Sequence, residues 1–369
     1  MKIPNTAAYF PEDSIRKINE NISTVLRSGY LSNGKFTRKF EAEWSRRLAG
    51  RTCLGTCNGT SALELAFRLA KVEGKRVVVP ASTIYLDAFA AERAGGKVIF
   101  ADVDPENGCM RIKDLTEIEK SSIRSVCATH LGGIVTPEIE AIRKLCDERG
   151  WFLVEDAAHS HSSTLNGKPA GTFGHASIFS FFATKVVTCG EGGLITFEDR
   201  SLLEEANMIS NQGLKNDRNE IAGGNMRMSE FSACVGLEQT RIMNSLIRKR
   251  TQLARVYDEI LGSHNQLKIV KPDNVIPNFY KYTILLPKDV DRDELKNSLT
   301  SKYGIPMPGG IYYTPCHLQP VWKGKYKKGD FPGAEKWSQR HLCLPILPQM
   351  NQKQVKYIAN KLLTELDLL

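Results

Sequence analysis

The stretch Trp151-Phe152-Leu153-Val154-Glu155-Asp156-Ala157-Ala158-His159 passes from an apolar run to a pair of acids. A second stretch, Ala176-Ser177-Ile178-Phe179-Ser180-Phe181-Phe182-Ala183-Thr184-Lys185, passes from an apolar run to an amine. Short apolar runs of this length read as strands buried on both faces, the habit of parallel sheets. Working outward, strands are expected at residues 76–79, 97–101, 125–129, 151–155, 176–180 and 193–197, alternating with helix-period segments in βαβ fashion. One helix is well marked: Thr136 is placed to cap it, Pro137 suits its first turn, Ile139, Ile142, Leu145 and Cys146 form its buried stripe, and Gly150 ends it. Another should begin at Asn58-Gly59-Thr60-Ser61 and bury Ala62, Leu63, Ala66, Leu69 and Ala70.

From about residue 246 the rhythm weakens. A strand-like run at 280–286 and a helix near 352–363, with Val355, Ile358, Ala359 and Leu362 on one face, suggest a small α+β unit. The expected organisation is α/β, with a large, mostly parallel-sheet domain over 1–245 and a smaller α+β C-terminal domain over 246–369. A chain of 369 residues is also longer than one hydrophobic core usually serves.

Composition excludes several classes. Apolar residues make up 41% and charged residues 25%, as in ordinary globular proteins and unlike disordered or fibrous ones. No apolar run reaches the length of about 18 residues that spans a membrane, and Met1-Lys2-Ile3-Pro4-Asn5-Thr6 has no apolar signal core. Nine scattered cysteines without zinc-ribbon spacing read as reduced thiols, so a cytoplasmic location is expected. The net charge of +9 suits an anionic small substrate. Nucleic acid would fit on charge alone, but no basic run carries interleaved aromatics, and no nucleic-acid partner is expected.

In open α/β sheets ligands sit beyond the carboxyl ends of the strands. Asp156 closes one strand, and Lys185 follows another 29 positions later. An acid and an amine at such an edge match the needs of pyridoxal 5′-phosphate (PLP): the acid keeps the pyridine nitrogen protonated, and the lysine forms the Schiff base and shuttles the proton. A surface lysine and a helix-capping aspartate would have the same spacing. In Cys57-Asn58-Gly59-Thr60-Ser61 a glycine lets the backbone approach a phosphate at a helix N-terminus, and Ser180 can add a hydroxyl. Alone, that segment is equally a turn and a cap.

Several ordered motifs carry a resemblance that runs nearly end to end: Ser28-Gly29-Tyr30-Leu31-Ser32-Asn33-Gly34, Asn58-Gly59-Thr60-Ser61-Ala62-Leu63, Glu155-Asp156-Ala157-Ala158, Phe179 to Lys185, Gly190-Glu191-Gly192-Gly193, Asn225-Met226-Arg227-Met228-Ser229-Glu230, His317-Leu318-Gln319-Pro320 and Leu344-Pro345-Ile346-Leu347-Pro348. With them the chain resembles the DegT/DnrJ/StrS-type sugar aminotransferases, PLP-dependent enzymes of the aspartate-aminotransferase (type I) fold. The resemblance implies that Lys185 bonds the cofactor, Asp156 pairs with the pyridine nitrogen, and Gly59, Thr60 and Ser180 hold the phosphate. Asn225 would reach a neighbouring subunit's phosphate in a homodimer with shared active sites. Arg227 would meet an anionic group of donor or sugar nucleotide, or form a structural salt bridge, and His317 would line the substrate pocket.

The chain departs from the family pattern at four positions. His159 replaces a common glutamine near the cofactor's phenolic oxygen, where its charge would depend on pH. Ile84 replaces the aromatic residue that stacks on the ring, so either Tyr85 supplies a ring or an aliphatic face covers the cofactor. His175 stands where an acid is common, and Met226 where a tyrosine is common.

Among the other histidines, His130 reads as a buried hydrogen-bonded residue. His159 and His161 lie two apart without a third ligand, so no metal site is expected. Gly190-Glu191-Gly192-Gly193 reads as a turn after the lysine segment. The implied function is amino transfer from L-glutamate to a nucleotide-linked keto sugar. A keto-cyclitol acceptor or a non-catalytic PLP-binding regulatory protein are the alternatives. A nicotinamide enzyme is set aside because no Gly-x-Gly-x-x-Gly follows the early strands.

Overall fold

Strands β1 (Thr52–Thr56), β2 (Arg76–Pro80), β3 (Lys97–Ala101), β4 (Ile123–Thr129), β5 (Phe152–Asp156), β6 (Ala176–Ser180) and β7 (Gly193–Phe197) form one sheet in the order β1-β7-β6-β5-β4-β2-β3. The computed structural model describes residues 3–5 and 8–368; of the amino-terminal stretch read for a signal core, Met1, Lys2 and Thr6 lie outside the described residues. The pairs β3–β2, β2–β4, β4–β5 and β5–β6 are parallel, and only β7 runs against its neighbours. The fold class is the expected one, an α/β sheet of mostly parallel strands. Both faces are covered: Val77 and Val79 belong to one core and Val78 to the other, all fully buried. That is the two-fold strand alternation with apolar packing on each side.

Six strands stand where the apolar runs placed them, shifted by a residue or two at some ends. Among the elements not expected are β1 and the helices Glu12–Ser28 and Lys35–Arg47. Helix Gly59–Leu69 starts as predicted, with Asn58 Oδ1 accepting the Ser61 N–H at 2.8 Å. Helix Ile139–Arg149 ends at Gly150, whose φ of 65° only glycine adopts at little cost. Thr136 does not cap that helix. Its hydroxyl donates to the Thr129 carbonyl at 3.0 Å, which ties it to the end of β4 instead.

A second sheet of β8 (Lys268–Ile269), β9 (Tyr282–Leu285) and β10 (His341–Leu344) is fully antiparallel. It packs with the capping-boxed helix Gln352–Leu366, which buries Val355, Ile358, Ala359 and Leu362 in a third core. Helix Glu230–Leu261, 32 residues long, runs unbroken through position 245. Its early turns pack on the amino-terminal helices and its Leu253, Ala254 and Tyr257 enter the third core. Among the described residues no helix is long and apolar enough to cross a membrane.

Candidate active site

The parallel strands end on one edge of the sheet, and that edge carries Thr56, Pro80, Thr129, Asp156 and Ser180 as the last residues of β1, β2, β4, β5 and β6. Beyond them lies a cavity of about 470 Å³, within the range of small-molecule sites. Gly59, Thr60, Tyr85, Asp156, Ser180 and Lys185 all line it, so six of the residues expected from sequence come together.

The Lys185 segment is held by backbone bonds. Phe181 N–H donates to Gly192 O, Cys189 N–H donates back to Phe181 O, and Lys185 N–H donates to Phe182 O, each at 2.9 Å. Phe181 is buried and Phe182 half-exposed, so the chain turns outward there. Lys185 Nζ stands 5.2 Å from the centre of the Tyr280 ring, whose hydroxyl meets Thr184 Oγ1 at 3.3 Å. Burial would raise the Tyr280 phenol, but the charges of Lys185 and Lys281 bring it below its ordinary value.

Asp156 is buried, and its Oδ1 accepts the Ala158 N–H at 2.8 Å. The adjacent Glu155 points to the other side. It accepts from Gly171, Phe173 and Gly174 N–H, from Ser177 Oγ and from His130 Nε2. Burial alone would raise its pKa; the His130 hydrogen bond, with those donors, holds it down at about 2. His130 Nδ1 accepts the Thr136 N–H at 3.1 Å, so His130 is the buried hydrogen-bonded residue expected.

A Cβ added at Gly59 would stand 2.8 Å from Ser180 Cβ, so only glycine lets the helix start lie this close to β6. The first-turn N–H groups of that helix, the Ser180 hydroxyl, the buried Asp156 carboxylate and the Lys185 amine share one cavity. This donor set fits PLP: an anion seat, an amine and an acid.

Other expected residues lie elsewhere. His317 is fully buried, with Nε2 3.1 Å from Glu335 Oε1 and its ring against Phe331; the structure does not bring it to the cavity. Asn225 is exposed and bridges to Asn211 through its backbone, outside the cavity. Arg227 donates to Asn211 Oδ1 at 2.6 Å, and among the described residues it makes no ion pair, so the salt-bridge reading is not met. His159 lies behind the cavity wall, its ring 4.5 Å from that of Tyr280, with Nδ1 accepting the Gly132 N–H and Nε2 facing Tyr312 Oη, both at 3.4 Å. Burial, reinforced by Lys185 and Lys281, drives its pKa well below the ordinary value. The expectation of a pH-dependent charge is corrected: His159 is neutral at working pH. His161 packs instead among Trp44, Phe179 and Phe181. Among the described residues no group of three or more His, Cys, Asp or Glu is placed to hold a metal ion.

Sequence reading missed Tyr312, which lines the cavity with a φ of 60°, a left-handed value uncommon for tyrosine. The Pro308-Gly309-Gly310 run before it was the available signal. Ile84 and Tyr85, the two alternatives for covering the ring, both line the cavity. Asp87, fully buried beneath the site, had no signal beyond that of a first-turn helix acid.

The comparisons with known proteins agree with this geometry. The model of the DegT/DnrJ/EryC1/StrS aminotransferase family matches residues 12–363. The chain is 31% identical over 351 residues to GDP-perosamine synthase of Escherichia coli O157:H7, covering 94% of each chain. It is 30% identical to dTDP-3-amino-3,4,6-trideoxy-alpha-D-glucose transaminase of Streptomyces venezuelae, covering 94% of this chain and 91% of that one. The crystal structure of the aminotransferase TlmJ from Streptoalloteichus hindustanus superposes with a TM-score of 0.90 at 27% identity, covering 99% of this chain and 100% of that one. The chain therefore belongs to the DegT/DnrJ/EryC1/StrS aminotransferase family and is a PLP-dependent aminotransferase.

Proposed function

We propose that this aminotransferase moves an amino group from L-glutamate to a keto sugar carried on a nucleoside diphosphate, with Lys185 as its catalytic residue. The observation that carries the reading is the shared cavity of Lys185, Asp156 and the Gly59–Ser180 cradle. The names of the relatives, one GDP-linked and one dTDP-linked, support a nucleotide-bound acceptor. When bound, PLP supplies an aldehyde that takes up nitrogen and a ring that accepts an electron pair.

The residues of the chain do the rest. The N–H groups at Gly59 and Thr60 and the Ser180 hydroxyl hold the phosphate, aided by the helix dipole. Asp156 faces the ring nitrogen as an anion, while Tyr85 and Ile84 exclude water from one side of the cavity. The free Lys185 amine takes the proton from the donor's α-carbon and returns it on the acceptor side. Tyr280 below Lys185 Nζ, with His159 behind it, steadies that amine. Asn225, exposed and outside its own chain's cavity, serves the phosphate of the second subunit in a homodimer, and Arg227 beside it takes an anionic group of donor or sugar nucleotide. All nine cysteines are free, the usage of a reducing cytoplasm.

Borohydride added to the holoenzyme should fix the cofactor on the peptide that contains Lys185, and Lys185→Ala should abolish turnover; a Lys185→Ala protein that still turned over would sink the assignment. The acceptor is decided by offering nucleotide keto sugars and keto-cyclitols to the pyridoxamine form and identifying products by mass and NMR. Turnover of free keto-cyclitols alone would move the substrate to that class.

A further inference from the structure

Asp87 sits in the first turn of helix Tyr85–Arg93, where an acid ordinarily faces water and the helix dipole. Here the side chain turns inward and is 0% exposed. One oxygen, Oδ2, accepts two hydroxyls, Thr83 Oγ1 at 2.6 Å and Thr129 Oγ1 at 2.9 Å. Thr129 ends β4 and stands in register with Asp156, the end of β5. The other oxygen, Oδ1, is buried and receives no hydrogen bond from a donor, and the Asp156 carboxyl is a hydrogen-bonding neighbour of the Asp87 side chain. Two carboxylates side by side out of water repel, and a buried acceptor without a donor costs roughly 1–3 kcal/mol. One proton between them removes both penalties.

We infer that Asp87 is a neutral acid whose Oδ1–H donates to the Asp156 carboxylate, making Asp87 a positioning residue for the charge that faces the cofactor's ring nitrogen. The proton belongs on Asp87 because Asp87 is enclosed on all sides, whereas Asp156 lines the cavity and already accepts the Ala158 N–H. Burial first, and then the charge of Asp156, push Asp87 well above the ordinary carboxylate range, against the smaller pull of Thr83 and Thr129. The ionisable groups around it are Asp156, Cys127 on β4, Tyr312 and Cys316, all of them acids. Cys127 and Tyr312 are pushed up by burial and Cys316 to about 12, so all three are neutral and none offers a positive charge to ionise Asp87.

The bond has a consequence for the site. A donor to Asp156 stabilises its anion and makes it a weaker base, so a proton on the ring nitrogen is left there. This inference rests on the proposed pairing of Asp156 with that nitrogen, and the two can fail separately.

The test begins with the apoprotein at pH 8.5, where ordinary carboxyls are ionised. The infrared difference between wild type and Asp87→Asn should contain the C=O band of one protonated carboxyl; its absence would overturn the inference. Asp87→Asn keeps the geometry, since its amide oxygen accepts both threonines and its N–H₂ donates to Asp156. Its dissociation constant for PLP should stay within about threefold of wild type, while Asp87→Leu, without a donor, should bind about tenfold or more weakly. Equal weakening in both variants would mean that the negative charge of Asp87 matters, and would also overturn the inference. Asp156→Asn separates the two readings. If it binds PLP as wild type does while the acid band persists, the pairing with the ring nitrogen falls and the proton on Asp87 stands.

Discussion

Gly59 shows what a single missing methyl group does at this site. Alanine there would press its Cβ to 2.8 Å from Ser180 Cβ and 3.3 Å from Ser180 Cα, atoms that cannot swing away. Helix propensity favours alanine by about 1 kcal/mol, whereas overpacking of this kind costs about 1–3 kcal/mol, so the net effect is a displaced helix start. Gly59→Ala should fold and bind both PLP and inorganic phosphate about tenfold more weakly in equilibrium titrations of the apoprotein; unchanged affinity for both would remove the phosphate seat from this turn. Residues of this sort were readable from sequence because local pattern places them: Asp156, Ser180 and Lys185 sit at or past an apolar run, and Gly59 opens a helix behind the capping Asn58. His317 and Asp87 were not readable, because what decides their role is the direction a side chain takes after folding. His317 turns to Glu335 and away from the cavity, and Asp87 turns under Asp156.

The elements follow the same logic one level up. Parallel strands announce themselves by unbroken apolar runs, and six of the seven strands of the main sheet were found that way. Strand β1, Thr-Cys-Leu-Gly-Thr, has only two apolar residues of any size and owes its existence to antiparallel pairing with β7, a contact some 140 residues away in sequence that no local pattern reports. The two amino-terminal helices are mostly polar; Glu12–Ser28 buries only Ser14, Ile18 and Val25, so its stripe is thin. The loop that carries Tyr312 also depends on a contact outside its own segment, 30 residues away. His341, the first residue of β10, accepts the Ile311 N–H through Nε2 at 3.0 Å and is bonded through Nδ1 to the Trp337 carbonyl at 2.7 Å. Burial keeps that imidazole neutral, with a pKa of about 3, which the accepting nitrogen requires. His341→Leu strips both backbone groups of their partner and should destabilise the protein by about 2–4 kcal/mol. Amide exchange at Ile311 and Tyr312 should then quicken more than in β4, and uniform protection in the variant would show that the loop does not depend on His341.

At the scale of the molecule, buried ionisable groups make stability depend on pH in a direction that can be worked out. His161, His341 and His159 stay neutral in the fold, the first two with pKa values of about 3, against an ordinary value near 6.5 for the unfolded chain. Below pH 6.5 the unfolded chain therefore binds protons that the folded one refuses, and each histidine removes about 1.4 kcal/mol of stability per pH unit as acid is added. Glu41, raised by burial to about 7, and Asp87, raised by burial and by Asp156, act in the opposite sense. The fold keeps their protons where the unfolded chain loses them, so acidification restores stability until it passes the ordinary carboxyl value near 4.5. Between pH 6.5 and 4.5 the histidines, with His175 also lowered by burial, outweigh the two acids, and the net effect is a modest loss. Below 4.5 the two acids no longer compensate. Glu155, held at about 2 by His130 and its N–H and O–H donors, then loses its stabilisation as pH falls toward 2, so the slope steepens. Thermal unfolding should accordingly show a shallow decline to about pH 4.5 and a steep one beyond it. His161→Leu isolates one contributor, since the side chain sits among Trp44, Phe179 and Phe181 and leucine is close to its volume. The stability of that variant relative to wild type should rise by about 1.4 kcal/mol for each pH unit below 6.5, and denaturant curves at pH 7, 6 and 5 that stay parallel would show that His161 is already charged in the folded protein.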